Sequence, residues 1–396
     1  MPIYVGDKKI TKISVGSTPI SLGKVGEETV FSQGGASSLY VSFTALNGSF
    51  NISFPATKHY EGSIYYSYDG STWNEAQANT TLSSAPTVYL RGLGNHTLYL
   101  NNSRAFNITG SSGTRMKVSG NILSLFDFQQ LSEGRTPVLK DYAMAYCLAS
   151  NCISDVSELE LPSVQLTPYI YSYMFSGARI ETAPALPATI MATGCYNYMF
   201  NNCTSLVEPP ELPAMDLAAS CYTNMFFGCS SLTEPPALPA TEMKEACYRG
   251  MFYQSGLTVA PRLPATAFRY QNCYREMFRL CTSLVEPPAL PATTLSGYDY
   301  YDMFRGCTSL EKLPALPATA LAYQCYFNMF YGCTSIAVNT AATGDVNNEY
   351  RIPYSGTGTT ATQAMASMFY GTSGTMSTSP TINTTYYTDN DIVLPS

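Results

Sequence analysis

"CYNYMFNNCTSLVEPPELPAMDLAAS" fills residues 195–220, and at residue 221 the chain begins the same statement again with "CYTNMFFGCSSLTEPPALPAT". The Met-Phe pair at its centre recurs at Met174, Met199, Met225, Met251, Met277, Met303 and Met329, spaced by 25 residues once and then by 26 five times. A degenerate copy, "YCLASNCIS", precedes this run, and a divergent one follows at Met368-Phe369. One such unit cannot bury its apolar side alone. A fixed period over seven copies therefore predicts a solenoid, in which neighbours supply the burial.

Each unit divides into two halves. At about 100° per residue, Leu217, Cys221, Tyr222, Met225 and Phe226 share one arc, while Thr223, Asn224 and Phe227 fall outside it. This predicts an amphipathic helix of about three turns. Thr189, Thr241, Thr266, Thr293 and Thr319 in the "PAT" steps are its N-cap candidates. Gly228, Gly306 and Gly332 stand where a left-handed residue would close it. The following "CTSL" leads into "EPPALP", whose prolines cannot donate ladder hydrogen bonds, so any strand there is short. Helix plus short strand in 26 residues is the layout of a leucine-rich repeat.

Upstream, the patterning changes. In residues 1–35, Val5-Gly6, Val15-Gly16 and Val25-Gly26 recur every ten residues, which predicts a β-meander arm. Too small to bury a core, the arm is expected to pack on copies of itself or on a partner, with a homotrimer as the expected assembly. Over residues 36–122, "LYVSF" and "FNISF" alternate with period two, and Asn-Gly, Asp-Gly and Gly-Asn turns separate about seven such segments. That pattern predicts an immunoglobulin-like sandwich. Its "SYDGSTW" approaches an Asp-box, which stabilises a hairpin and implies no activity. Residues 123–147 then read as a linker and N-terminal cap, 148–336 as the solenoid, and 337–396 as a C-terminal cap. The fold class expected is an α/β leucine-rich-repeat solenoid preceded by a β-arm and an immunoglobulin-like β-sandwich.

Composition narrows the function. Charged residues make up 12% of the chain and the net charge is −7, which is the wrong balance for nucleic acid. The only histidines are His59 and His96. No apolar run approaches the roughly 18 residues of a membrane helix. The N-terminus, "MPIYVGDKKITKISV", lacks the apolar core of a secretion signal, so no general secretory export is expected.

All twelve cysteines lie in the repeat region, ten of them in two columns: Cys195, Cys221, Cys247, Cys273, Cys325 and Cys203, Cys229, Cys281, Cys307, Cys333. Cysteines eight apart on a helix are about 12 Å apart, beyond disulfide reach. The spacing does not suit zinc either, so these thiols are expected to fill the core; no metal and no cofactor is expected.

The wording "LPATTL…YYDMFRGCTSLEKLPALPAT" resembles the BspA-like leucine-rich repeats of bacterial surface proteins and of phage-carried proteins, over residues 141–336. The sandwich segment "IYYSYDGSTWNEA" and the ending "SPTINTTYYTDNDIV" are similar to segments that accompany such repeats. The Val-Gly arm is similar to arms of phage tail and virion proteins. The resemblance implies attachment to a cell surface or its glycans, and no catalytic residues.

Two columns that vary from copy to copy offer the binding residues: Arg249, Arg275, Tyr301 and Phe327 in one, and Tyr253, Arg279, Arg305 and Tyr331 in the other. Arg and aromatics dominate binding hot spots, and aromatic faces can stack on sugar rings. A second row holds Thr182, Glu208, Glu234, Val259, Glu286 and Lys312; Glu208 and Glu234 one rung apart would suit a glycosidase pair. The reading reached is a non-enzymatic phage virion protein of tail or head fibre. Its arm would dock to virion proteins and its solenoid to a host glycan or protein. The alternatives are a capsid or tail decoration protein, a bacterial surface adhesin, and a polysaccharide depolymerase.

Overall fold

The computed structural model describes residues 39–83, 86–161, 165–314, 316–318, 321–336, 363–364, 366–368 and 370–371 with their side chains, and short strands within 3–33, 375–376 and 392–393 as backbone. In the arm these strands are β1 (Ile3–Val5), β2 (Lys8–Ile10), β3 (Ser14–Val15), β4 (Thr18–Val25) and β5 (Glu28–Gln33). All pair antiparallel with their chain neighbours, as β1–β2 and as β3–β4–β5. Gly6, Gly16 and Gly26, the expected turn residues, lie outside the described residues, as do Thr319 and most of the expected cap 337–396.

The period-two segments become strands β6 (Val41–Asn47), β7 (Phe50–Ser53), β8 (Ser63–Ser67), β9 (Asn74–Glu75), β10 (Thr81–Ser83), β11 (Thr87–Leu93), β12 (Tyr99–Leu100), β13 (Ser103–Arg104), β14 (Asn107–Gly110) and β15 (Arg115–Asn121). Helix α1 (Ser124–Ser132) and strand β16 (Ile153–Glu160) follow. One sheet has the order β10-β7-β14 and the other β16-β15-β6-β11-β8-β9. Alternation decides what lies between them: Val41, Phe43, Val88, Leu90, Met116 and Val118 from the larger sheet and Phe50, Ile52, Leu82 and Ile108 from the smaller are all buried. Helix α1 crosses β11 at Gly92, where a Cβ would lie 1.8 Å from the carbonyl oxygen of Leu125.

Residues 153–160, expected in the solenoid, instead extend the larger sheet. Strand β16 runs parallel to β15, unlike the antiparallel pairs of an immunoglobulin-like sandwich. A parallel partner needs a long crossover, and α1 with residues 141–149 provides it.

The repeats are not helical. Among the described residues the one α-helix is α1, and Thr189, Thr241, Thr266 and Thr293 begin none. The physical reason is a period of four. Each unit places a residue with positive φ at every fourth position, as at Ser220, Asn224 and Gly228 (φ 55°, 52° and 72°), and a right-handed helix cannot absorb these. Gly228, Gly306 and Gly332 are left-handed as expected, but they close a turn of this chain, not a helix. No left-handed position in the described repeats carries a β-branched residue, the class that this conformation penalises most.

Hydrogen bonding alternates along each rung. Every second N–H closes a local turn, as Met199 N–H does on the Tyr196 carbonyl at 3.2 Å. The N–H groups between them donate to the next unit: Tyr222 to Cys247, Asn224 to Arg249, Phe226 to Met251 and Gly228 to Tyr253, at 2.8–3.0 Å. The pattern runs from Tyr142 donating to Pro168 through to Gly332 donating to Tyr370. All these rung-to-rung bonds point the same way, each N–H toward the C-terminal neighbour. The peptide dipoles therefore add along this turn side of the stack, whereas outside it Val207, Gly256, Thr258 and Glu311 donate back to the preceding unit, to Glu181, Cys229, Thr233 and Val285. The sandwich covers the negative end. Leu98 N–H donates to Ala143 O, and the Arg104 guanidinium donates to Ala149 O, both at 2.8 Å.

Side chains stack in the same register. Tyr171, Tyr196, Tyr222, Tyr248, Tyr274, Tyr300 and Tyr326 form one buried column with ring centroids 5.6–6.2 Å apart. The Phe of each Met-Phe pair forms another, at 5.5–5.9 Å. Leu217, Cys221, Tyr222, Met225 and Phe226 are buried as expected, although no helix puts them there.

Candidate functional site

The cysteines account for the inner wall. All twelve are buried with free thiols. In the second column Cys203, Cys229, Cys281, Cys307 and Cys333 donate S–H to the carbonyls of Phe175, Phe200, Phe252, Phe278 and Phe304, at 2.9–3.1 Å. Where a unit lacks this cysteine, Ala178 or Ser255 takes the place, and both are buried. Burial pushes the thiols of Cys147, Cys195, Cys281, Cys325 and Cys333 up to about 12, which makes them poor nucleophiles. Among the described residues no group of three His, Cys, Asp or Glu is arranged to hold a metal ion.

In the first column two rungs depart from cysteine: Ile170 stands there in the first unit, and Asp299, fully buried, in the sixth. The Asp299 carboxylate accepts the N–H groups of Cys273 at 3.2 Å and Ser296 at 2.5 Å. Burial nevertheless raises its pKa to about 7.

The row with the glutamates is a set of ladder contacts. Thr182 bridges Glu208 and donates its hydroxyl to the carboxylate at 2.9 Å, while Lys312 pairs with Glu286 at 2.6 Å. Glu208 and Glu234 are both exposed. Beside them the proline steps enclose a shallow groove of about 320 Å³, lined by Pro209, Pro210, Pro213, Pro236 and Pro239, with Glu211 as its acidic group.

The Arg and aromatic columns come together on the outer side of the rungs. Arg249, Tyr253, Arg275, Arg279, Tyr301, Arg305, Phe327 and Tyr331 are all half-buried. The left-handed positions run between them as a third column that includes Glu276 and Asp302 (φ 59° and 53°), two acids the sequence reading passed over. Glu276 meets Arg249 at 3.3 Å, Arg275 at 3.7 Å and Arg279 at 3.0 Å. Asp302 meets Arg279 at 3.3 Å and Arg305 at 3.2 Å. The acid side chains are 14% and 1% exposed against 24–41% for the arginines, so the guanidiniums form the outer layer.

Ring faces in this patch are occupied. The Arg275 guanidinium lies 4.5 Å from the Tyr301 ring centre, Arg279 lies 5.1 Å from Tyr253, and Arg305 lies 4.7 Å from Tyr331. Tyr301 also stacks on Phe327 at 5.1 Å. The expected stacking of sugar rings on these aromatics thus has little free face to use. The patch instead presents planar cations in a fixed frame.

A second guanidinium lies outside the repeats. Arg91 on β11 is held between the rings of Trp73 and Phe128, 4.0 Å from each. The nearby Asp-box-like turn is a local hairpin device, in which Asp69 accepts the N–H groups of Ser71 and Thr72 at 2.8 and 2.7 Å. Those bonds pull its carboxyl far below the usual carboxylate range.

Compared with family models, with curated proteins and with solved structures, the chain gives no match to any of the three.

Proposed function

We propose that this protein is a non-enzymatic attachment protein, with residues 148–336, apart from the sheet strand 153–160, acting as a leucine-rich-repeat-type solenoid that displays its arginine face to a receptor or glycan on a cell surface. In this reading the chain is a phage virion component of fibre type, its arm meets other virion proteins, and the sandwich joins arm to solenoid. The observation that carries the proposal is the network of Arg249, Arg275, Arg279 and Arg305 around Glu276 and Asp302. These are recognition-type side chains on rungs held together by backbone bonds. A depolymerase would need a pair of carboxyls aimed into a substrate groove. Glu208 is instead engaged by Thr182, and the groove beside it is walled by proline.

The test is co-sedimentation of the full chain with candidate host cells, beside an Arg249→Glu/Arg305→Glu variant. Binding lost in the variant supports attachment through this face. Binding kept in the variant moves attachment to the arm or the sandwich. Absence of binding to every plausible host favours a decoration protein with a structural role.

A further inference from the structure

We propose that the arginine face takes an acidic polysaccharide, one that carries carboxylate or sulfate groups along its length, in preference to a neutral glycan. This deepens the function proposed above and rests on the same face being the binding surface.

Charge is the first reason. Four guanidiniums share two carboxylates, Glu276 serving three arginines and Asp302 two. The face thus carries a local excess of positive charge on a chain whose net charge is −7. Attraction of a polyanion would come from this face and not from the bulk of the protein.

Geometry is the second. With ring faces covered by guanidiniums and by one another, apolar stacking on a pyranose is mostly closed off. The arginine side chains keep 24–41% of their surface exposed, and a guanidinium's planar fork can pair with carboxylate or sulfate through two parallel hydrogen bonds. Stacking on a ring and pairing with a buried acid fix each fork before a ligand arrives, which lowers the ordering cost of binding.

Periodicity is the third. Arg249 and Arg275 occupy one column in adjacent rungs, joined through Gly250 N–H to Arg275 O at 2.8 Å. Arg279 and Arg305 do the same in the other column, through Leu280 N–H to Arg305 O at 2.8 Å. Rings in these columns sit 4.8–5.1 Å apart. Each column thus carries two cations on adjacent rungs, and the rung interval, read from the rings, is about the length of one sugar unit in a uronic-acid or sulfated chain.

The test is binding of the full chain to immobilised polyuronate, to an immobilised sulfated glycan and to neutral dextran, over a salt series, with single-stranded DNA as a further arm. The expected result is salt-sensitive binding to one or both acidic glycans and none to dextran, and the arms identify which acid group is read. Arg249→Ala/Arg305→Ala should weaken binding by about tenfold or more. Lys312→Ala, on the proline side, should leave it unchanged. Lack of binding to both acidic glycans, equal binding to dextran, or DNA binding as tight as glycan binding overturns the proposal. Cell attachment that depends on the face without acidic-glycan binding sinks this inference alone; acidic-glycan binding without cell attachment sinks the attachment reading alone.

Discussion

Asp299 accepts the backbone N–H of Cys273 at 3.2 Å, across the boundary between two rungs, from a column position that is cysteine in most neighbouring units. In other rungs the corresponding cysteine N–H closes a local turn, as Cys247 does on Lys244. At Cys273 the carboxylate has captured that donor.

Burial of this carboxyl, which outweighs the hydrogen bonds it accepts, makes stability pH-dependent. The folded-state pKa of Asp299 is about 7, against about 4 for an unfolded Asp. The native state therefore holds the proton more tightly, so stability is full below about pH 4 and falls as pH rises toward 7, by a few kcal/mol at most. Asp299→Cys, which restores the column, should flatten the dependence of the urea midpoint on pH between 4 and 7. An unchanged slope would place the titrating group elsewhere.

Gly250 is left-handed, at φ 58°, and a Cβ there would lie 2.1 Å from Asn224 Oδ1 of the preceding rung. Gly250→Ala should cost about 1–3 kcal/mol in denaturant unfolding, part from the backbone and part from the contact. Adding Asn224→Ala should recover the contact part. Strict additivity of the two changes would show that no clash is transmitted between the rungs.

Arg104 reaches from the sandwich to the carbonyl of Ala149 at the acceptor end of the stack. Arg104→Ala should lower stability by about 1.5–3 kcal/mol, the range for a hydrogen bond to a charged group. Amide hydrogen exchange should quicken first at Met144, Tyr146 and Leu148, whose N–H groups bond the next rung. Loss of protection confined to the far rungs would contradict a capping role.

Thiol reactivity reports on the interior. With all twelve cysteines buried, a thiol reagent at pH 8 should label essentially none in the native protein and all twelve in denaturant. Cys229→Ser should fold with a loss of about 1 kcal/mol or less, since serine already stands in the same place at Ser255 and can donate to the Phe200 carbonyl. Cys229→Val, which cannot donate, should cost more.

Much of this protein is written in its sequence. The 26-residue period, the inward set Cys221, Tyr222, Met225 and Phe226, the left-handed glycines and the alternating sandwich strands all follow from side-chain chemistry at fixed spacing. The path of the backbone does not. An amphipathic helix and a chain of left-handed turns bury the same residues at i, i+1, i+4 and i+5. What separates them is whether an N–H finds its acceptor within its own unit or in the next one, and that acceptor exists only once rungs stack. The strict period of four, with glycine or asparagine recurring at the turn positions, was the one local sign. Glu276 and Asp302 were equally hidden, because they lie beside the arginines only through contacts between rungs. Residue types and repeat length were thus settled locally, whereas hydrogen-bond direction, ion pairing and the character of the outer face were decided by packing between units.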